Sequence, residues 1–167
     1  ANGLNVYNPF AGVASFIKDY QGAKNVYAQE LNRKTWAIGQ LRLLAFKSNA
    51  NFKCEDSING WQSQTKFDLI VSNPPFGLRL DRQYREQYAE CRTAEEFLVS
   101  MSMNSLSHQG QLLAVLPNGI LFRGGSEQRL RERLIQEDLI DTIISFPGGV
   151  LYHTGIPFIV LILNKSK

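Results

Sequence analysis

Apolar positions along the 167 residues gather into short blocks separated by amphipathic or polar stretches, the pattern of sheet strands alternating with helices. Strands are predicted at Leu4-Asn5-Val6-Tyr7, Lys24 to Ala28, Asn51 to Glu55, Phe67 to Ser72, Leu112 to Pro117, Leu139 to Phe146 and Phe158 to Leu163. A helix is expected from the turn after Tyr7 through about Tyr20, and a second from Arg33 to Lys47. The second carries Trp36, Ile38, Leu41, Leu44 and Ala45 as a broad apolar side, read as its core face. Thr93, with Glu96 three residues on, gives a capping box. It opens a buried helix through Phe97, Leu98, Met101, Met103 and Leu106 that ends at Gln109-Gly110. Ser126 is placed to cap a helix from Glu127 to Gln136, with Leu130, Leu134 and Ile135 inward. Seven strands interleaved with helices predict an α/β fold with a doubly wound, mostly parallel sheet. The last two strands, joined by a Gly-bearing connection, predict an antiparallel edge pair.

The fourth of these strands carries the most chemistry. Leu69, Ile70 and Val71 form the continuous apolar run of a buried parallel strand, and it leads directly into Ser72-Asn73-Pro74-Pro75-Phe76-Gly77. Neither proline donates to a sheet ladder, and each pushes the residue before it toward extended backbone. A carboxamide, a free carbonyl and an aromatic ring are thus held at the carboxyl end of a strand, where ligands bind in open α/β sheets. An amine conjugated to a ring is a poor nucleophile, because its lone pair is delocalised. Two acceptors aimed at its two hydrogens, the Asn73 side-chain oxygen and the Pro74 carbonyl, would draw the nitrogen toward a tetrahedral, more reactive geometry. Phe76 would stack on the base. A strand ended by a Pro-Pro turn, with Phe76 merely packing, fits these residues equally well.

Two further strand ends are placed for a ligand. Asn8-Pro9-Phe10-Ala11-Gly12-Val13-Ala14-Ser15-Phe16 is a small-residue turn, and a helix N-terminus there would offer N–H groups and a positive dipole end to a carboxylate. Glu30 follows at the tip of the next strand, about 20 residues on, where an acid takes ribose hydroxyls. A plain strand-to-helix turn and a surface carboxylate at a helix start are the bland counterparts of these two features.

Asn73-Pro74-Pro75-Phe76 resembles the signature of the amino-group DNA methyltransferases that modify adenine. The run from Leu112 through Pro117 to Asn118-Gly119-Ile120-Leu121-Phe122-Arg123-Gly124-Gly125 is very similar to the modification subunits of type I restriction-modification systems, and narrows the family to them. The resemblance covers nearly the whole chain. It implies a Rossmann-like methyltransferase fold, S-adenosylmethionine as cofactor, and methyl transfer to the exocyclic amine of adenine in DNA. The partners it implies are DNA and the system's specificity and restriction subunits.

Within that resemblance, Asn73, Pro74, Pro75 and Phe76 are the catalytic residues. The turn supplies cofactor contacts from Asn8, Pro9, Ala11, Gly12, Ala14, Ser15 and Phe16, and Glu30, Leu31, Asp56, Ser57 and Asn73 complete that set. Asn8 stands where the family has Asp, so it can hydrogen-bond an ammonium without a full charge. Ala14 replaces a second Gly and adds a methyl where the cofactor passes. The family's Gly-Asp-Thr run appears as Glu55-Asp56-Ser57, with Asp56 accepting from the cofactor's adenine amine. Phe76 and Tyr152 are the residues for the extruded base, although Leu151, beside Tyr152, occupies the place of the family's clamping Phe.

Composition adds limits rather than a function. Hydrophobic residues at 44% and charged residues at 20% are those of an ordinary globular domain, and the net charge of +3 permits nucleic acid without requiring it. No apolar run approaches a membrane span. Cys54 and Cys91 are unpatterned and read as reduced thiols of a cytoplasmic protein, and His108 and His153 are isolated, so no metal is expected. The mixed-charge segment from Gly77 to Cys91, with Arg79, Arg82, Arg85 and Glu90, reads as a solvated loop or exposed helix, or as a phosphate contact. The chain opens on Ala1-Asn2-Gly3 and closes on Lys165-Ser166-Lys167, and reads as a catalytic core over 1–167, a fragment lacking the family's N-terminal helical domain and C-terminal helices. Rival readings are a glutamine or guanine-amino methyltransferase, which share a Pro-Pro loop, and a nicotinamide dehydrogenase, which shares the Gly turn and Glu30. A non-enzymatic truncated subunit, binding cofactor weakly or acting only in assembly, is the alternative of another class.

Overall fold

Strand β4, Phe67–Ser72, runs through the middle of a seven-stranded sheet. The computed structural model describes residues 3–18, 20, 22–88, 91–152 and 154–166. Around β4 lie β1 (Asn5–Asn8), β2 (Asn25–Gln29), β3 (Asn51–Lys53), β5 (Leu106–Pro117), β6 (Ile140–Phe146) and β7 (Phe158–Asn164), in the order β3-β2-β1-β4-β5-β7-β6. Parallel partners flank β4: Tyr7 of β1 lies against Ile70 on one side, and Leu112 of β5 on the other. With both faces covered, the unbroken run Leu69-Ile70-Val71 is the pattern such a position requires. Alternation sends Tyr7 and Ile70 to one core with Trp61, Phe67 and Phe97, and Val6 and Val71 to another with Ile17, Leu43 and Phe52. Tyr7 stacks on Phe67 at 4.7 Å between ring centroids.

The predicted antiparallel pair is present: β6 and β7 run against each other at one end of the sheet. The strand that opposes the rest is β7, one place in, since it also pairs antiparallel with β5. The sheet is therefore doubly wound and mostly parallel, and strand order reverses where β1 meets β4. Crevices form at such a reversal.

Among the described residues, α1 (Arg33–Ala45), α2 (Arg82–Gln87), α3 (Ala94–Ser105) and α4 (Ser126–Gln136), with a short 3-10 helix at Asn118–Leu121, complete the fold. The capping box at Thr93 and Glu96 forms as expected and starts α3. At α4 the N-cap position is Gly125, and Ser126 is the first helical residue. Leu130 and Leu134 are buried there, whereas Ile135 faces solvent.

Three expectations are corrected. No α-helix follows the turn after β1; residues 12–18 form successive turns. Phe10, Gly12 and Ala14 all take left-handed φ, at 55°, 57° and 59°, and alternating left-handed residues break the i→i−4 ladder. Second, of the predicted apolar stripe of α1 only Trp36 packs on the core, where it meets Phe52. Ile38, Leu41 and Leu44 are exposed, and Gly39 and Leu43 face the sheet. A Cβ at Gly39 would lie 2.6 Å from the Phe52 ring, so close approach to β3 selects the glycine face. Third, α3 stops at Ser105 and Leu106 already pairs with Phe67. The ladder shifts register between Phe67 and Leu69, and Gly110 lies in that irregularity rather than capping a helix. Glu90, His153, Ala1, Asn2 and Lys167 lie outside the described residues.

Candidate active site

The loops after β1, β2, β3 and β4 converge on a cleft of about 1130 Å3. Its floor is stitched together beneath the ligand-facing surface. Asn8, at the end of β1 and fully buried, donates through Nδ2 to the Val71 carbonyl at 2.6 Å. The Ser72 hydroxyl donates back to the Pro9 carbonyl. The turn after β1 and the loop after β4 are thus fixed to each other at their roots.

Above this floor, Asn73 is exposed, Pro74 buried and Phe76 half-buried, and all three line the cleft. Neither the Asn73 amide nor the Pro74 carbonyl is engaged by another of the described residues. Gly77 takes φ of +70°, a conformation that favours glycine and turns the chain away behind Phe76.

The β2 tip presents Glu30. One carboxylate oxygen accepts from the Gly12 N–H at 3.0 Å and the other from the Asn32 N–H at 2.7 Å. After β3, the Ser57 hydroxyl accepts from the Phe10 N–H at 3.2 Å. Asp56 accepts from the Ile58 N–H at 2.9 Å, and on its other oxygen from the Tyr84 hydroxyl and Asn59 Nδ2, each at 2.8 Å. That hydrogen bond to a carboxylate holds the Tyr84 phenol above its ordinary range. A carboxylate has about four acceptor sites, so Asp56 keeps one free.

Of the residues read from sequence, Gly12, Glu30, Leu31, Asp56, Ser57, Asn73, Pro74, Pro75, Phe76 and Tyr152 line this one cleft. Asn8, Pro9, Ala11, Ala14, Ser15 and Phe16 do not line it. Asn8, Pro9, Ala11 and Ala14 are buried, and the Ser15 hydroxyl meets Arg42. In the turns that replace the expected helix, Ala11, Ala14 and Ile17 are buried, and Ser15 and Phe16 are exposed. Asn8 Oδ1 is nonetheless a buried acceptor with no partner among the described residues. Phe10, Asn32, Ile58, Tyr84 and Leu151 also line the cleft without having been read as site residues, and Arg79, from the segment with a phosphate-contact reading, lines it too. Leu151 did hold the place of the family's aromatic. Tyr84 carried no local signal, since its partner Asp56 is 28 residues away.

The Asn8 contacts give a stability prediction. In Asn8→Asp, a carboxylate oxygen would face the Val71 and Pro9 carbonyls that Nδ2 now satisfies. The expected loss is about 1–3 kcal/mol, read as a lower urea midpoint. An unchanged midpoint would show that these two contacts carry no weight.

Among the described residues, no three His, Cys, Asp or Glu side chains gather as metal ligands, and no helix is long and apolar enough to cross a membrane. The model of the N-6 DNA Methylase family matches residues 4–167. The chain belongs to that family. It is 30% identical over 128 residues to the MjaVIII methylase subunit of a type I restriction enzyme from Methanocaldococcus jannaschii, covering 70% of this chain and 22% of that protein. Identity to the MjaVII methylase subunit of the same organism is 27% over 175 residues, covering 91% of this chain and 30% of that one. The chain thus spans less than a third of the length of either relative. In three dimensions it is similar to the methyltransferase subunit of a type I restriction-modification system from Streptococcus thermophilus, with a TM-score of 0.86 and 25% identity over 99% of this chain and 40% of that one. A class I S-adenosylmethionine-dependent methyltransferase from Listeria monocytogenes shares the fold at a TM-score of 0.82 and 14% identity, over 100% of this chain and 55% of that one. The expected family and the Rossmann-like methyltransferase fold are both borne out.

Proposed function

We propose that this chain is the methyl-transfer core of a type I modification subunit, and that it methylates the exocyclic amine of adenine in DNA with S-adenosylmethionine as donor. The observation that carries the proposal is the exposed, unengaged Asn73 carboxamide beside the Pro74 carbonyl, in the same cleft as Glu30 and Asp56. The acceptor set suits the donor's chemistry. Glu30 offers a carboxylate to ribose hydroxyls, and Asp56 has one acceptor site left for an adenine amine.

When bound, S-adenosylmethionine supplies a methyl group on a positively charged sulfur, open to direct attack by nitrogen. The chain's own part is orientation and charge placement. Asn73 Oδ1 and the Pro74 carbonyl take the two amine hydrogens and turn the lone pair out of the ring. Phe76 and Tyr152 hold the base faces, and the amine's spare proton leaves to solvent. Pro74 and Pro75 keep both acceptors in place before the base arrives, so little ordering is left to the reacting state. Sequence choice on DNA and cleavage belong to the specificity and restriction subunits in this account, and the protein works in the cytoplasm.

A second reading has one observation behind it. The chain spans only 22% and 30% of the two relatives' lengths, so it would bind cofactor but transfer nothing by itself. Calorimetry with S-adenosylmethionine followed by a DNA methylation assay separates the two. Binding with N6-methyladenine formed is the expected result. Binding without transfer would favour the second reading, and no binding would overturn both.

A further inference from the structure

The loop Asn73-Pro74-Pro75-Phe76 must hold its acceptors still, yet Asn73 and Pro75 are exposed and the loop carries no disulfide or ladder. What fixes it comes from behind. Gly77 N–H, directly after Phe76, donates to the Glu95 carboxylate at 2.5 Å. Among the described residues this is the one side-chain hydrogen bond made to residues 73–77. Glu95 sits in the first turn of α3 and is 3% exposed, an unusual place for a carboxylate that ligates nothing. Its second oxygen has no partner among the described residues. Two backbone bonds flank the same contact: Ala94 N–H to the Leu78 carbonyl and Leu80 N–H to the Arg92 carbonyl, each at 2.9 Å. The capping box at Thr93 and Glu96 anchors the helix end that makes these contacts.

We propose that Glu95 is a positioning residue: its buried carboxylate holds the Gly77 N–H and so sets where Asn73 and Pro74 present their acceptors to the target amine. The catalytic role of that loop is the one proposed above, and the present inference rests on it. A backbone N–H to a carboxylate is a strong, charge-assisted bond, and its acceptor end at Glu95 is buried while Gly77 itself is exposed. Residues 73–77 have no comparable anchor, so losing it frees the loop without touching either core. Glu127 on α4 is a second carboxyl that feels the Glu95 charge. Burial pushes its carboxyl above the ordinary range, the Arg123 guanidinium pulls the other way, and Glu96 and Glu95 add to the rise. An amide at position 95 keeps an acceptor for Gly77 and relieves that repulsion.

The test compares the parent chain with Glu95→Leu, which fills the space but has no acceptor, and Glu95→Gln, which restores one. Amide hydrogen exchange at Gly77 reads the contact itself. It should be protected in the parent and in Glu95→Gln, and about 10- to 100-fold faster in Glu95→Leu, with β4 and β5 amides unchanged. In methylation assays, kcat should fall about 10- to 100-fold in Glu95→Leu with KM for S-adenosylmethionine within about twofold, and Glu95→Gln should recover most of it. Unprotected Gly77 in the parent overturns the inference, even if Glu95→Leu does not fold. So does Glu95→Leu with parental exchange or parental kcat. A parent chain that transfers no methyl yet shows the exchange pattern would sink the methyl-transfer reading and leave the Glu95–Gly77 anchor standing.

Discussion

Asn73→Ala is expected to lower methyl transfer by about 100- to 1000-fold, the cost of deleting one fixed polar group aimed at the reacting atom. The fold should not notice. Asn73 is exposed, and its amide bonds no other described residue, so the urea midpoint should match the parent's. The pairing of these two outcomes is what makes the variant informative. Loss of transfer together with loss of stability would point to a packing role for Asn73. Full transfer at parental stability would remove the carboxamide from the mechanism. Initial rates with labelled S-adenosylmethionine on adenine-containing DNA supply the first number, and equilibrium unfolding the second.

Glu30→Ala is the other large effect. In the proposed function its carboxylate takes the ribose hydroxyls, and it already accepts from the Gly12 and Asn32 N–H groups of both neighbouring turns. Removing it takes away charge-assisted bonds of about 1.5–3 kcal/mol each and leaves two turn N–H groups to water. Affinity for S-adenosylmethionine should fall by roughly 30- to 1000-fold in calorimetry. Glu30→Gln keeps one acceptor and should fall between the two. A Glu30→Ala chain that binds like the parent would show that the cofactor does not reach the β2 tip.

The strands and the loop over 73–76 were readable because they are local. Apolar runs such as Leu69-Ile70-Val71 define buried strands, and Pro74-Pro75 stops one whatever the rest of the chain does. The misreadings share a cause: backbone choices imposed from a distance. Gly39 counts as neutral in a hydrophobic pattern, yet it decides the buried face of α1, because only a glycine approaches the Phe52 ring so closely. Phe10 and Ala14 are not residues that advertise left-handed backbone, so the turns that replace the expected helix left no mark in the sequence. The early start of β5 rests on a register shift against β4, which pairing creates and local composition does not encode. In the site, Glu30 was found from its place at a strand end, and Asp56 from the resemblance of Glu55-Asp56-Ser57 to the family's run. Tyr84 on Asp56 and Glu95 on Gly77 are 28 and 18 residues from their partners, and only folding brings them together.

The central claim is that one loop turns a ring amine into a methyl acceptor beside the donor. A crystal of this chain with sinefungin, a non-reactive cofactor analogue, and a short adenine-containing oligonucleotide tests it most directly. The account predicts the adenine amine within hydrogen-bond distance of both Asn73 Oδ1 and the Pro74 carbonyl, with the analogue's ribose at Glu30. A base seated elsewhere, or an Asn73 amide turned away from an occupied cleft, would contradict it.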